Sequence, residues 1–86
     1  MNPVALRNLI IDTLQSIAPE VDRAKLRDDV PLRRQVDLDS MDWLNFLLGL
    51  NKALGVEIPE TDYARLSTLS ALLDYLQHKL SERTAS

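Results

Sequence analysis

Val36-Asp37-Leu38-Asp39-Ser40-Met41-Asp42-Trp43-Leu44 opens the stretch that decides the fold, and the run continues as Asn45-Phe46-Leu47-Leu48-Gly49-Leu50-Asn51-Lys52-Ala53-Leu54-Gly55. Aspartate ahead of serine suits a helix start. The Asp39 carboxylate can accept an unsatisfied first-turn amide, and Asp42, three positions on, can complete an acidic variant of the capping box. Gly55 supplies the stop, because glycine readily takes the left-handed backbone that closes a helix. A helix is therefore predicted over 39–54. Its apolar content is wide: Met41, Trp43, Leu44, Phe46, Leu47, Leu48, Leu50 and Leu54. A helix in a small bundle needs one apolar stripe, so some of these side chains must lie outside it. Leu44, Phe46 and Leu47 are assigned to the core. Met41, Trp43 and Leu48 are assigned to an exposed apolar patch.

Upstream, Leu6, Leu9, Ile10, Leu14 and Ile17 recur at steps of three and four, the period of an amphipathic helix. This predicts a first helix over 2–18, with Asn2 as cap, Pro3 in the first turn and Pro19 as terminator. Residues 19–38 show no clean period. They read as a long loop whose scattered Val21, Leu26, Val30, Leu32, Val36 and Leu38 pack over the bundle. Downstream, Val56-Glu57-Ile58-Pro59 is an extended link, and a short third helix is predicted over 60–66. A fourth is predicted over 68–80, capped by Ser67 or Thr68 and buried through Leu69, Leu72, Leu73, Leu76 and Leu80. The polar 81–86 reads as a flexible tail. The expectation is an all-α fold: a small four-helix bundle with three longer helices, one short helix and a long loop between helices one and two.

The chain has 86 residues, enough for one domain with a modest core. It has no cysteine, which excludes disulfides and thiolate metal sites, and its one histidine, His78, excludes a histidine-rich metal site. Ten basic against 13 acidic residues, net −3, argue against nucleic acid as a partner. No apolar run reaches membrane-span length, and the N-terminal residues lack the pattern of a secretory signal, so a soluble, cytoplasmic, monomeric protein is expected. His78 reads as a surface residue, and Tyr63 and Tyr75 as partly buried residues with hydroxyls in water.

The Asp37-Leu38-Asp39-Ser40-Met41 run resembles the phosphopantetheine attachment site of acyl carrier proteins, in which Asp-Ser-Leu or Asp-Ser-Met opens the second helix. The likeness extends through Gly55-Val56-Glu57-Ile58-Pro59-Glu60 and on through Ser67-Thr68-Leu69 and Leu72-Leu73-Asp74-Tyr75-Leu76. The resemblance implies a 4′-phosphopantetheine arm, derived from coenzyme A, on Ser40, with Asp39 and Met41 flanking it. It also implies a protein that is not an enzyme but the substrate of others: a phosphopantetheinyl transferase, an acyl-activating ligase or acyltransferase, and downstream acyl-processing enzymes. Physically, Asp39 takes over the capping and leaves the Ser40 hydroxyl unoccupied, while the positive end of the helix favours a phosphodiester. No neighbouring residue in the sequence would deprotonate Ser40, so the transferase must supply the base and a metal-bound coenzyme A.

The sequence departs from this family along the partner-facing helix, where acidic residues are usual. Asn45, Asn51, Lys52 and Ala53 replace them, Trp43 stands where a small or polar residue is common, and Arg33 and Arg34 precede the motif. Asp42, Trp43, Asn45, Leu48, Arg33 and Arg34 are therefore the expected partner surface. Charge complementarity sets on-rates and excludes wrong partners, so a specialised carrier, outside housekeeping fatty acid synthesis, is expected. Three alternatives stand beside it: an armless bundle that binds a partner helix, an aminoacyl or peptidyl carrier, and a small hydrolase using Ser40 with His78. Peptidyl carriers usually have a glycine-rich attachment site, which this chain lacks, and a lone distant histidine serves the hydrolase poorly.

Overall fold

Asn2 Oδ1 accepts the Val4 amide proton at 2.7 Å, and with Pro3 in the first turn this bond starts helix α1 (Pro3–Ile17). The computed structural model describes residues 2–85, in which four α-helices and one 3-10 segment are present. Leu6, Ile10, Ile11 and Leu14 form the buried stripe of α1, while Leu9 and Ile17 pack half-buried at its edge. The Ala18 amide donates to Leu14 O at 2.8 Å and closes the helix before Pro19.

Residues 19–38 are not simply a loop, as the sequence suggested. They contain a single helical turn, α2 (Leu32–Gln35), held from outside itself. The Leu32 amide donates to Ser67 O at 2.8 Å, and Pro31 pairs with Thr68 as an isolated antiparallel bridge. The Gln35 side-chain amide donates to Arg27 O and Val30 O, both at 2.8 Å, and accepts the Arg27 amide proton at 2.7 Å. A fork from Arg7 to Asp28, at 2.9 and 3.2 Å, ties the same connection to α1. The Arg7 bond holds the Asp28 carboxyl below its ordinary range against the opposing effect of burial. Val21, Leu32, Val36 and Leu38 are buried, so the connection covers the bundle as expected.

The second long helix, α3 (Ser40–Leu54), buries Phe46, Leu47, Leu50 and Leu54. Leu44, expected in the core, is 39 % exposed and lies at the outer edge of the stripe. Gly49 marks the crossing with α1: a Cβ there would sit 2.9 Å from Thr13 Cγ2. Gly55 ends α3 in the left-handed conformation, φ 64°, and its amide donates to Asn51 O at 2.8 Å.

The third element, Glu60–Arg65, is a 3-10 helix that buries none of its own residues, followed by the buried Leu66. Thr68 Oγ1 then accepts the Ala71 amide proton at 3.0 Å and caps α4 (Leu69–Ala85). Leu69, Leu72 and Leu76 are buried, and Leu73 and Leu80 pack partly buried beside them. The helix continues past residue 80, where a flexible tail was expected, and Ser86 lies outside the described residues. An i,i+4 contact between His78 Nε2 and Glu82 Oε1 at 2.9 Å spans this continuation. Because α1 packs on both α3 and α4, the three long helices share one core beneath the connection. No described helix is long and apolar enough to cross a membrane.

Candidate functional site

Two independent supports fix the first turn of α3. Asp39 Oδ1 accepts the Asp42 amide proton at 2.8 Å, while the Trp43 amide bonds to Asp39 O at 3.0 Å. Among the described residues the Asp42 carboxylate makes no return bond, so half of the expected capping box forms. On the upstream side, Arg33 Nε donates to Leu38 O at 3.4 Å, and buried Val36 and Leu38 anchor the approach to the helix. Ser40 is thereby held as the first residue of a 15-residue helix. It is exposed, and its hydroxyl makes no hydrogen bond among the described residues. The α3 terminus presents free backbone amides and the positive end of the helix dipole next to that hydroxyl. An exposed, unpaired hydroxyl at such a terminus fits a covalently attached group that carries a phosphodiester.

The surrounding residues divide into two faces. Met41, Leu44 and Leu48, spaced three and four apart, form an exposed apolar stripe along α3, at 68, 39 and 45 % exposure. Asn45 and Lys52 are exposed beside it, and Asp42 is half-buried at its head. Leu44 was not anticipated here, although its spacing from Met41 and Leu48 is the signal that places it. Arg33 and Arg34 are exposed on α2, upstream of Asp39.

Trp43, expected on the exposed patch, instead turns into the protein. It is half-buried, packs against the core, and its ring lies 5.4 Å from that of Phe46 at an interplanar angle of 43°. Aromatic pairs favour such tilted contacts, and the pair draws Trp43 off the outer face. Beside it is a groove of about 380 Å³ lined by Pro31, Arg33, Trp43, Tyr63, Ala64 and Ser67. This groove has no signature in the sequence, because its walls come from α2, α3 and the 3-10 segment and meet only in the fold.

The 3-10 wall is latched from behind. The Tyr75 hydroxyl donates to Asp62 Oδ2 at 2.6 Å, so it is not simply in water as expected. Burial first, and the Asp62 bond second, push the Tyr75 hydroxyl up to about 12. His78 lines a different groove, with Arg65, Leu66, Ala71, Asp74 and Tyr75, and pairs with Glu82. That groove does not include Ser40, and the hydrolase alternative therefore lacks a base at the serine. Among the described residues no group of acidic or histidine side chains could hold a metal ion.

A family model described as a phosphopantetheine attachment site matches residues 5–76. An acyl carrier protein of Lactobacillus johnsonii is 30 % identical over 57 residues, covering 66 % of this chain and 71 % of its own length. The chain belongs to the acyl carrier protein family. Members of this family are carriers, not enzymes, and bear a covalent 4′-phosphopantetheine. A more extended match is the acyl carrier protein of Thermotoga maritima, 25 % identical over 80 residues, or 90 % of this chain and 99 % of that one. The acyl carrier protein of Enterococcus faecalis superposes with a TM-score of 0.62, covering 81 % of this chain and 96 % of that structure. At 22 % identity that likeness speaks to the fold, a small helical bundle.

Proposed function

We propose that this carrier bears its 4′-phosphopantetheine on Ser40 and presents thioester-bound acyl groups to the enzymes of a specialised fatty acid, lipid or polyketide-type pathway in the cytoplasm. The observation that carries the attachment site is the division of labour at the head of α3: Asp39 caps the helix, and Ser40 is exposed with an unpaired hydroxyl. In modification, the Ser40 oxygen attacks the β-phosphorus of coenzyme A, 3′,5′-adenosine diphosphate leaves, and the serine proton passes to a base of the transferase. Asp39 keeps the first turn rigid during that attack, and the free amides of α3 favour the resulting phosphodiester charge. When attached, the arm supplies a terminal thiol for the thioester.

The specialised role rests on the stripe beside Ser40. Met41, Leu44 and Leu48 are exposed, and from Met41 to Pro59 the charged residues are Asp42, Lys52 and Glu57. With Asn45 along it and Arg33 and Arg34 upstream, this surface suits an apolar, nearly neutral docking site on a ligase, acyltransferase or acyl-processing enzyme. The carrier works as a monomer, with no nucleic-acid partner.

The test is incubation of the apo protein with coenzyme A, magnesium and a broad-specificity phosphopantetheinyl transferase, followed by intact mass, with Ser40→Ala as control. A single phosphopantetheine increment, absent in the variant, supports the proposal. No increment, with the transferase active on a standard carrier and a dedicated transferase equally inactive, favours the armless interaction module.

A further inference from the structure

We infer that the Arg33 guanidinium pairs with the phosphodiester that joins the arm to Ser40, and so fixes the side on which the arm leaves α3. The inference rests on attachment at Ser40, and it makes Arg33 a positioning residue.

Two contacts place the Arg33 side chain beside the first turn of α3. Its Nε donates to Leu38 O at 3.4 Å, and Leu38 is two residues ahead of Ser40. Two chain steps span about 7 Å at most, which keeps Nε within about 10 Å of the Ser40 Cα. Arg33 also lines a concavity together with Trp43. Trp43, three positions after Ser40, is one turn along the same helix. The Arg33 side chain therefore meets residues on both sides of Ser40 in the chain. A phosphorus bonded to the serine oxygen lies up to about 4 Å from Cα, and the terminal guanidinium nitrogens lie about 2 Å beyond Nε, from ordinary bond lengths. The two groups are within reach without movement of the backbone.

The donors needed for this pair are unused. Arg7 is committed to Asp28, Arg23 to Asp12 and Arg27 to Asp29. The terminal nitrogens of Arg33 have no partner among the described residues, although Asp37, Asp39 and Asp42 are close in the chain. Asp39 Oδ1 is occupied by the Asp42 amide. A phosphodiester on Ser40 adds a permanent negative charge among these three carboxylates. A guanidinium fork offsets that charge and matches the spacing of phosphate oxygens. Arg34 is exposed too, but successive helical residues point about 100° apart, which makes it the internal comparison. With the pair formed, the arm leaves on the Trp43 side of α3. The exposed stripe of Met41, Leu44 and Leu48 stays open to a partner.

The experiment converts the apo protein to the holo form with coenzyme A and a phosphopantetheinyl transferase and confirms one arm on Ser40 by mass. Arginine side-chain Nε–Hε and phosphorus NMR spectra are then recorded. Conversion should shift the Arg33 Nε–Hε signal several times more than that of Arg34, and about 0.5 M salt should shrink the difference. The paired state should be favoured about two- to fivefold, the range for an exposed ion pair. In holo Arg33→Gln the phosphorus signal should move from its wild-type position. Arg33→Lys should restore part of that change, and Arg34→Gln should not reproduce it. If Arg33→Gln fails to fold or to take the arm, the apo-to-holo comparison in the unsubstituted chain decides alone. A purely structural role, through the bond to Leu38 O, would leave the Arg33 signal unmoved on conversion. That outcome, an Arg33 response no larger than that of Arg34, or an unmoved phosphorus signal in Arg33→Gln overturns the inference alone. Failure of the arm to attach at Ser40 overturns the attachment reading and the inference with it.

Discussion

Asp39 Oδ1 holds the backbone amide of Asp42 at 2.8 Å. This one bond separates two roles that a serine at a helix start often combines: Asp39 satisfies the first turn, and the Ser40 hydroxyl remains available. Asp39→Ala should therefore destabilise the apo protein by about 1 kcal/mol, the usual cost of losing a cap, whereas Asp39→Asn, which can still cap, should stay close to wild type. Urea unfolding of the apo proteins reads this. Equal loss in both variants would mean that the carboxylate charge, and not the cap bond, stabilises the turn.

Gly49 lets α1 and α3 approach at Thr13. A methyl at position 49 would come 2.9 Å from Thr13 Cγ2, so Gly49→Ala should cost about 1–3 kcal/mol through overpacking. Thr13→Ser removes that methyl and keeps the hydroxyl that donates to Leu9 O at 2.8 Å. The double variant should recover most of the loss, a coupling that a double-mutant cycle measures. Strict additivity would place the strain elsewhere.

The pH dependence of stability should show two named edges. Asp28 titrates below its unfolded value because of Arg7, so its contribution is present above about pH 4 and is lost as the pH falls through the lower folded value. Asp28→Asn should flatten that acid limb. The partial exposure of both partners, 33 and 45 %, keeps the effect modest.

Tyr75 has the opposite sign. Its folded hydroxyl is pushed up to about 12, so its contribution is intact below the unfolded value of about 10 and is lost as the pH rises through the folded one. One of the two tyrosines should titrate near 12 by ultraviolet absorbance, and Tyr75→Phe should remove that late step. Titration of Tyr75 near 10 in the folded protein would mean that the Asp62 latch is open in solution.

On the α3 stripe, Leu48→Gln should change stability by less than about 0.5 kcal/mol, as expected for an exposed position. The same substitution should lower kcat/KM of a cognate downstream enzyme by about fivefold or more if Leu48 is a contact residue. Unchanged kinetics with the cognate enzyme would remove Leu48 from the docking surface.

Local signals carried much of this structure. The α3 cap, the Gly55 stop and the Thr68 cap are short-range features, and each was readable from one or two residues. What the sequence did not disclose depends on distant partners. The α2 turn has no period of its own and exists because Leu32 bonds to Ser67 and Gln35 folds its amide over residues 27–30. Trp43 and Leu44 exchanged their expected places. The Phe46 ring draws Trp43 inward, whereas Leu44 falls at the edge of a stripe that Phe46, Leu47, Leu50 and Leu54 already fill. The continuation of α4 was hidden because its last turns are polar, with the His78–Glu82 contact spanning them. At the site, the serine and its cap were legible as a motif, but the groove was not, because Arg33, Trp43 and Tyr63 are far apart in the chain.

The most direct test of the account is peptide-level mass spectrometry of the protein modified by a phosphopantetheinyl transferase. The chain has other serines, at 16, 67, 70, 81 and 86, and fragment ions assign the increment to one of them. The account predicts a single phosphopantetheine on the peptide containing Asp39-Ser40-Met41, localised to Ser40 and lost in Ser40→Ala. An increment on another serine, or one that persists in Ser40→Ala, would contradict it.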